Sequence, residues 1–196
     1  MQVAILKYNA GNMCSVINAL HRIGCTPIIT DDAEKLLSAD KVVIPGQGAA
    51  GTTMKYLKQH GLDKVILNLR QPVLGICIGQ QLLCRHSEED NTDCLGIFSV
   101  DVKRFVSKST YNKVPAMGWN EISNLYSPLF YKLKDGDFAY FVHSYYVPQC
   151  EYTIATADYI EKFSAALHKD NFYATQFHPE KSGSVGERIL KNFLEL

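Results

Sequence analysis

Short, unbroken apolar runs alternate with segments whose apolar residues fall at helical spacing, and no other feature constrains the fold of this chain as strongly. Residues 2–7 read as a strand, after which Met13, Val16, Ile17, Leu20 and Ile23 recur at helical spacing and stop at Gly24, a helix terminus. The unit then repeats. Residues 27–30 read as a strand, 32–38 as a short helix and 41–44 as a buried strand ending at Pro45. Helical segments follow at about 52–60 and 63–69, and an apolar strand at 72–76 runs into a helix at 78–86. A strand buried on both faces has no polar side to alternate with. Continuous apolar strands separated by helices therefore imply an α/β fold with a parallel sheet covered on both faces.

From Gly96 onward the texture becomes β-rich, with candidate strands at 98–106, 119–122, 138–142, 151–157, 164–168 and 173–177, expected as antiparallel additions to the core sheet. Ser184, with Glu187 three residues on, reads as a capping box opening a final helix that carries Ile189, Leu190, Phe193 and Leu194. The sequence has no internal repeat and no Pro/Ser-rich linker, so residues 1–196 are expected to form one domain.

Twenty basic and twenty acidic side chains give a net charge of zero, and no Lys/Arg stripe is present. Nucleic acid and anionic lipid are usually met by a clustered basic excess, so neither is an expected partner. The longest apolar stretches are far shorter than the roughly 20 helical residues that cross a bilayer. The first apolar run passes straight into residues 9–12 with neither a basic leader nor a long apolar signal segment, which makes the cytoplasm the expected location. Cys14, Cys25, Cys77, Cys84, Cys94 and Cys150 contain no CxxC and form no zinc-type set with histidine. No metal and no cofactor are expected, and most of these thiols read as small buried hydrophobes. Cys84, seven residues after Cys77, would fall two turns along the same helix face, in the core.

The chemistry concentrates in two motifs. Gly75, Ile76, Cys77, Ile78 and Gly79 place a Gly-x-Cys-x-Gly between a buried strand and a helix, the thiol counterpart of a nucleophile elbow, in which small neighbours permit a tight turn that holds the nucleophile out. A helix N-terminus there favours a thiolate and offers backbone N–H groups to an oxyanion. A plain strand-to-helix turn with a buried cysteine has the same spelling. The second motif is His178, Pro179, Glu180. A thiolate acting on an amide needs a base and a group to orient that base, and in extended chain residues i and i+2 project to one face. Glu180 is thus placed to meet one nitrogen of His178 while the other meets a thiol. A zinc deaminase would need a Pro-Cys-x-x-Cys downstream, and none occurs.

Taken together, the two motifs resemble those of the class I, triad-type glutamine amidotransferases, and the resemblance covers essentially the whole chain. It implies a three-layer, flavodoxin-like glutaminase domain with a mostly parallel central sheet. It also implies a Cys77, His178, Glu180 triad that hydrolyses glutamine to glutamate and ammonia through a cysteinyl thioester. The segment Pro45, Gly46, Gln47, Gly48 is similar to the family's oxyanion strand, which implies an oxyanion hole made by backbone N–H groups near Gln47 or Gly48 and at Ile78. Residues 7–12, 115–120, 143–145 and 178–182 resemble the subfamily of glutaminase subunits of imidazole glycerol phosphate synthase, from histidine biosynthesis. That subfamily resemblance implies that Gly48, Gln81, Ser144 and Tyr145 hold glutamine. It further implies that Asn12, Trp119, Tyr140 and Lys181 face a (β/α)8 cyclase, a separate chain in a heterodimer, which uses the ammonia to form imidazole glycerol phosphate and AICAR.

The sequence departs from the family pattern at three places. Lys7 stands where an acidic residue is usual, Ala116 where a histidine is usual and Gln47 where a small apolar residue is usual. A paralogous glutaminase supplying ammonia for amination of a surface-polysaccharide sugar shares the same triad. Activity is expected to fall as His178 becomes protonated, since an imidazolium cannot accept the thiol proton. His21, His60, His86 and His168 match nothing catalytic and read as surface or structural.

Overall fold

A computed structural model describes residues 1–9, 13–108, 110 and 112–196. The elements in chain order are β1 (Val3–Leu6), α1 (Cys14–Arg22), β2 (Ile28–Thr30), α2 (Ala33–Ser38), β3 (Lys41–Ile44), α3 (Ala50–Gln59), α4 (Leu62–Leu67), β4 (Val73–Ile76) and α5 (Ile78–Leu83). Then follow β5 (Cys84–Ser87), β6 (Thr92–Asp93), β7 (Phe98–Arg104), β8 (Ala116–Ile122), β9 (Asp137–His143), β10 (Tyr145–Tyr146), β11 (Thr153–Asp158), β12 (Lys162–Lys169), β13 (Phe172–Thr175) and α6 (Gly183–Glu195). The central sheet has the order β11-β12-β13-β4-β3-β1-β2. From β13 to β2 every neighbouring pair is parallel, and β12 and β11 add antiparallel at the far edge.

The apolar runs form strands because each side chain along them has a core to enter. Val3 and Ile5 of β1 point into one hydrophobic cluster with Val16 and Leu20 of α1 and Ile189, Leu190 and Phe193 of α6. Ala4 and Leu6 point into the other, with Leu36 of α2, Met54 and Leu57 of α3, Ile66 of α4 and Leu82 of α5. The result is three layers, with α1 and α6 on one face and α2 to α5 on the other. Burying each large aliphatic side chain contributes about 1.5–3 kcal/mol. Local signals set the helix ends: Asp32 accepts hydrogen bonds from the N–H groups of Glu34 and Lys35 at 2.9 and 3.1 Å, capping α2. Gly24 follows α1 at φ 82°, a left-handed position that favours glycine.

Three expectations are corrected. The helix expected over 78–86 ends at Leu83, and residues 84–87 form β5, because Cys84 turns extended and β5 pairs with β6 and β7. Cys84 is buried in the core as expected, but as a strand residue. Only β11 and β12 extend the core sheet antiparallel. Strands β10, β7, β5 and β6 make a separate four-stranded sheet, and β8 and β9 a two-stranded one. The reason is positional: β5 leaves directly from α5, which lies on one face of the core sheet, so its partners assemble off the plane of that sheet. The Ser184/Glu187 capping box does not form, since α6 starts at Gly183 and Glu187 instead accepts from Arg22 Nε at 3.0 Å.

Cys25, Cys77 and Cys84 are buried, Cys94 and Cys150 are half-buried and Cys14 is exposed, all six as free thiols. His60 stacks on Tyr56, His168 stacks on Tyr173, and His86 pairs with Asp93. Among the described residues no helix is long and apolar enough to cross a membrane.

Candidate active site

Three adjacent parallel strands end on the same side of the sheet, and each delivers one part of the site. In the register, Ile44 of β3 lies beside Gly75 of β4, and Ile76 of β4 beside Thr175 of β13. The chain therefore leaves β3 into Pro45–Gly48, β4 into Cys77, and β13 into Gln176 and His178, all at neighbouring strand ends. Sites outside the carboxyl ends of the strands are the rule for open α/β sheets.

Cys77 occupies φ 51°, ψ −105°, a conformation L-residues rarely adopt, and its N–H is held by the Thr175 carbonyl at 2.7 Å. The turn needs glycine beside it. A Cβ on Gly79 would lie 2.5 Å from the Ile44 carbonyl oxygen, and one on Gly46 would collide with the Ile76 carbonyl and with Cys77 Cβ. Those backbone approaches bring the β3 loop against the cysteine. His178 is 3% exposed; its Nδ1–H donates to Glu180 Oε1 at 2.7 Å, while its side chain is also hydrogen-bonded to Cys77. Because Nδ1 is committed to Glu180, Nε2 is the nitrogen that faces sulfur. Burial pulls the His178 imidazolium down, but the hydrogen bonds and charges of Cys77 and Glu180 together outweigh it and lift the group to about 10. Glu180 Oε2 is buried and has no hydrogen-bond partner.

Cys77, His178, Gln47, Gly48, Ile78, Gln81, Ser144 and Tyr145 line one cavity of about 450 Å³, within the usual range for small-molecule sites. Tyr8, 5% exposed, places its hydroxyl 2.5 Å from the Pro45 carbonyl oxygen and 3.1 Å from that of Gln47. Burial holds the Tyr8 phenol well above its ordinary range, so it stays a donor to that loop. In a trans peptide the following N–H points opposite to the carbonyl, so the Gly48 N–H points away from Tyr8. Ile78, as first residue of α5, has no intrahelical acceptor for its N–H. Among the described residues no group of three or more His, Cys, Asp or Glu side chains is arranged to hold a metal ion.

The family model for class-I glutamine amidotransferases matches residues 6–196. The chain belongs to that family. This glutamine amidotransferase is 63% identical, over the full length of both chains, to the imidazole glycerol phosphate synthase subunit HisH of Bacteroides thetaiotaomicron. It is 46% identical, again over the full length of both, to the protein of the same name from Pectobacterium atrosepticum. Its fold matches the crystal structure of a glutamine amidotransferase at a TM-score of 0.75 and 17% identity, covering 98% of this chain and 97% of that one.

On the amidotransferase surface next to the cavity, β8 and β9 present an apolar face. Trp119 is 56% exposed and paired across the strands with Tyr140, their rings edge to face at 6.1 Å. Met117 and Phe138 are exposed on the same hairpin. Lys181 lines the cavity and sets its ammonium 5.9 Å from the Tyr140 ring, so Trp119, Tyr140 and Lys181 form one continuous group. Asn12 lies outside the described residues.

Two residues of this amidotransferase site escape a reading of the sequence. Glu89 is the one carboxylate lining the cavity among the described residues, held there by the Ala50 N–H, which donates to Oε2 at 2.7 Å. It sits in the run Glu88, Glu89, Asp90, which looks like any exposed acidic loop. Gln176 lies fully buried behind Cys77, with its Nε2 donating to Sγ at 3.6 Å. Its position two residues before His178 was the available signal.

Proposed function

We propose that this protein is the glutaminase subunit of an imidazole glycerol phosphate synthase, with residues 1–196 acting as one catalytic domain. The reading is carried by the Cys77, His178, Glu180 chain of contacts at a cavity with room for an amino acid. The full-length similarity to subunits of that name gives the pathway.

In this reading Cys77 sulfur, as thiolate, attacks the side-chain amide carbon of glutamine. The carbonyl oxygen takes the negative charge and is received by the N–H groups of Ile78 and Gly48. Nε2–H of His178 protonates the amide nitrogen, the C–N bond breaks, and ammonia leaves a thioester. The environment of His178 changes at that moment. The sulfur charge that favoured imidazolium has gone into a covalent bond, so burial, which favours the neutral ring, is then opposed by Glu180 alone. Neutral His178 takes a proton from water, hydroxide adds to the thioester, and the C–S bond breaks to release glutamate and restore the ion pair. His178, lifted above its ordinary value by Cys77 and Glu180, is thus protonated in the resting state, and its protonation is not the inactivating event.

The remaining contacts suit a zwitterion. Gln81 Nε2 donates to the carbonyl of Tyr145 and to Gln176, which leaves its Oε1 as an acceptor beside the cavity. Together with Glu89 it would meet the α-ammonium, while Ser144 and Tyr145 bound the other end of the substrate. Trp119, Tyr140 and Lys181 would dock a (β/α)8 cyclase that receives the ammonia.

The test is glutamate release by the full-length protein assembled with its cyclase and that enzyme's nucleotide ligand. Cys77→Ala should lower turnover about a thousandfold or more while leaving assembly intact. No glutamate release by the wild-type complex, or assembly only with a sugar-modifying synthetase, would overturn the assignment.

A further inference from the structure

Gln176 does not contact the cavity, yet its side-chain amide is caught between two groups that do. Nε2 donates to Cys77 Sγ at 3.6 Å, and Oε1 accepts from Gln81 Nε2 at 3.1 Å. The orientation of both amides follows from one backbone group. A carbonyl oxygen only accepts, and that of Tyr145 lies 3.2 Å from the end of the Gln81 side chain, so that end is nitrogen. The second proton of this nitrogen is directed at Gln176, which makes the facing atom of Gln176 oxygen and turns its N–H group toward sulfur. His143 Nδ1–H donates to the same Tyr145 carbonyl at 2.7 Å and helps to hold it in place. Every link of this chain is buried or partly buried.

The sulfur needs such a donor. On another side it faces the Val142 carbonyl oxygen at 3.8 Å, an acceptor that suits a thiol and opposes a thiolate. His178 donates a hydrogen bond to the sulfur in the resting pair but gives that proton up to the departing amide nitrogen. Gln176 cannot be titrated and keeps its N–H throughout the cycle.

We propose that Gln176 is a positioning residue for the glutaminase reaction: its amide N–H, oriented through Gln81 by the Tyr145 carbonyl, holds the Cys77 sulfur as an anion and ties it to the turn that receives glutamine. This rests on the reading of Cys77 as the nucleophile. It makes the glutamine-binding turn and the nucleophile mechanically one unit, because Gln81 and Tyr145 belong to both.

The experiment is alkylation of the full-length protein by iodoacetamide across a pH series, with the Cys77 peptide followed by mass spectrometry so that the other thiols do not interfere. Gln176→Met keeps the volume and removes the donor. It should label Cys77 about tenfold more slowly at neutral pH and match the wild-type rate once the pH is high enough to ionise any thiol. In the assembled enzyme it should lower kcat more than it raises KM. A superimposable pH profile overturns the inference, and so does a loss of labelling that is equal at every pH, which a merely structural role predicts. If Gln176→Met does not fold, Gln81→Met is read the same way. It leaves Gln176 in place without its anchor, a shift in the same direction is expected, and an unmoved profile overturns the inference. Alkylation needs no glutamine, so failure of the glutaminase assignment registers separately, as absence of glutamate release by the wild-type complex.

Discussion

Cys77 shows what a single residue demands of its surroundings. Its positive φ of 51° costs on the order of 1–3 kcal/mol, and the turn persists because Gly46 and Gly79 let three strand-end segments close on it. His143 makes the opposite demand. It is 6% exposed, its Nδ1–H goes to the Tyr145 carbonyl, and its Nε2 is buried without a partner. Burial, with a smaller push from His178, lowers its pKa from 6.5 to about 4 even though the Tyr145 carbonyl works the other way. The unfolded chain therefore binds a proton at His143 that the folded protein refuses between those two values. Stability falls as the pH drops through this window, by about 3 kcal/mol in total from this residue. Thermal melts from pH 7 down to pH 4 should show that loss, and His143→Asn, whose amide can still donate to the carbonyl, should remove that part of the slope.

Among elements, the segment that carries His178 and Glu180 is fastened to a strand of another sheet. His178 N–H donates to the Tyr140 carbonyl of β9 at 2.9 Å, and the Tyr140 N–H donates to Ser182 Oγ at 2.9 Å. The Ser182 hydroxyl in turn donates to the His178 carbonyl at 2.6 Å, closing a ring around the 3-10 turn Pro179–Lys181. That commitment explains why Ser182, though it precedes α6, caps nothing. Ser182→Ala leaves the Tyr140 N–H without its acceptor, while the His178 carbonyl keeps the Lys181 N–H at 3.0 Å, and should cost about 1–3 kcal/mol of stability in denaturant titrations. It should also reduce glutaminase turnover, since the ring sets the position of the imidazole. The wild-type response in both assays would show that the ring is dispensable.

On the scale of the whole molecule, the cavity opens beside the exposed face of β8 and β9. Lys181 belongs to both, and the Tyr140 backbone reaches from that face to His178. A partner docked there would press on the strand that holds the histidine. Trp119, the only tryptophan, is exposed and shaped as an anchor for such a contact. Trp119→Ala should weaken assembly with the proposed cyclase partner by tenfold or more in calorimetric titration, with a melting temperature close to wild type because the indole is not in the core. Unchanged affinity would place the docking surface elsewhere.

The β-α alternation, the two-faced burial of β1, β3 and β4, and the Cys77 and His178/Glu180 motifs are all legible in the sequence, because each is encoded by neighbours within a few residues. Hydrophobic periodicity reports local burial, and the elbow needs its glycines two positions either side of the cysteine. The tertiary structure alone decided that residues 84–87 leave the helical pattern to pair with β7, and that β8 and β9 stand apart from the core sheet. It alone also brought Glu89 into the cavity and set Gln176 behind the sulfur through hydrogen bonds spanning 95 and 99 residues. Pairings and polar contacts at such separations depend on where whole elements pack, and no local pattern of side chains records that.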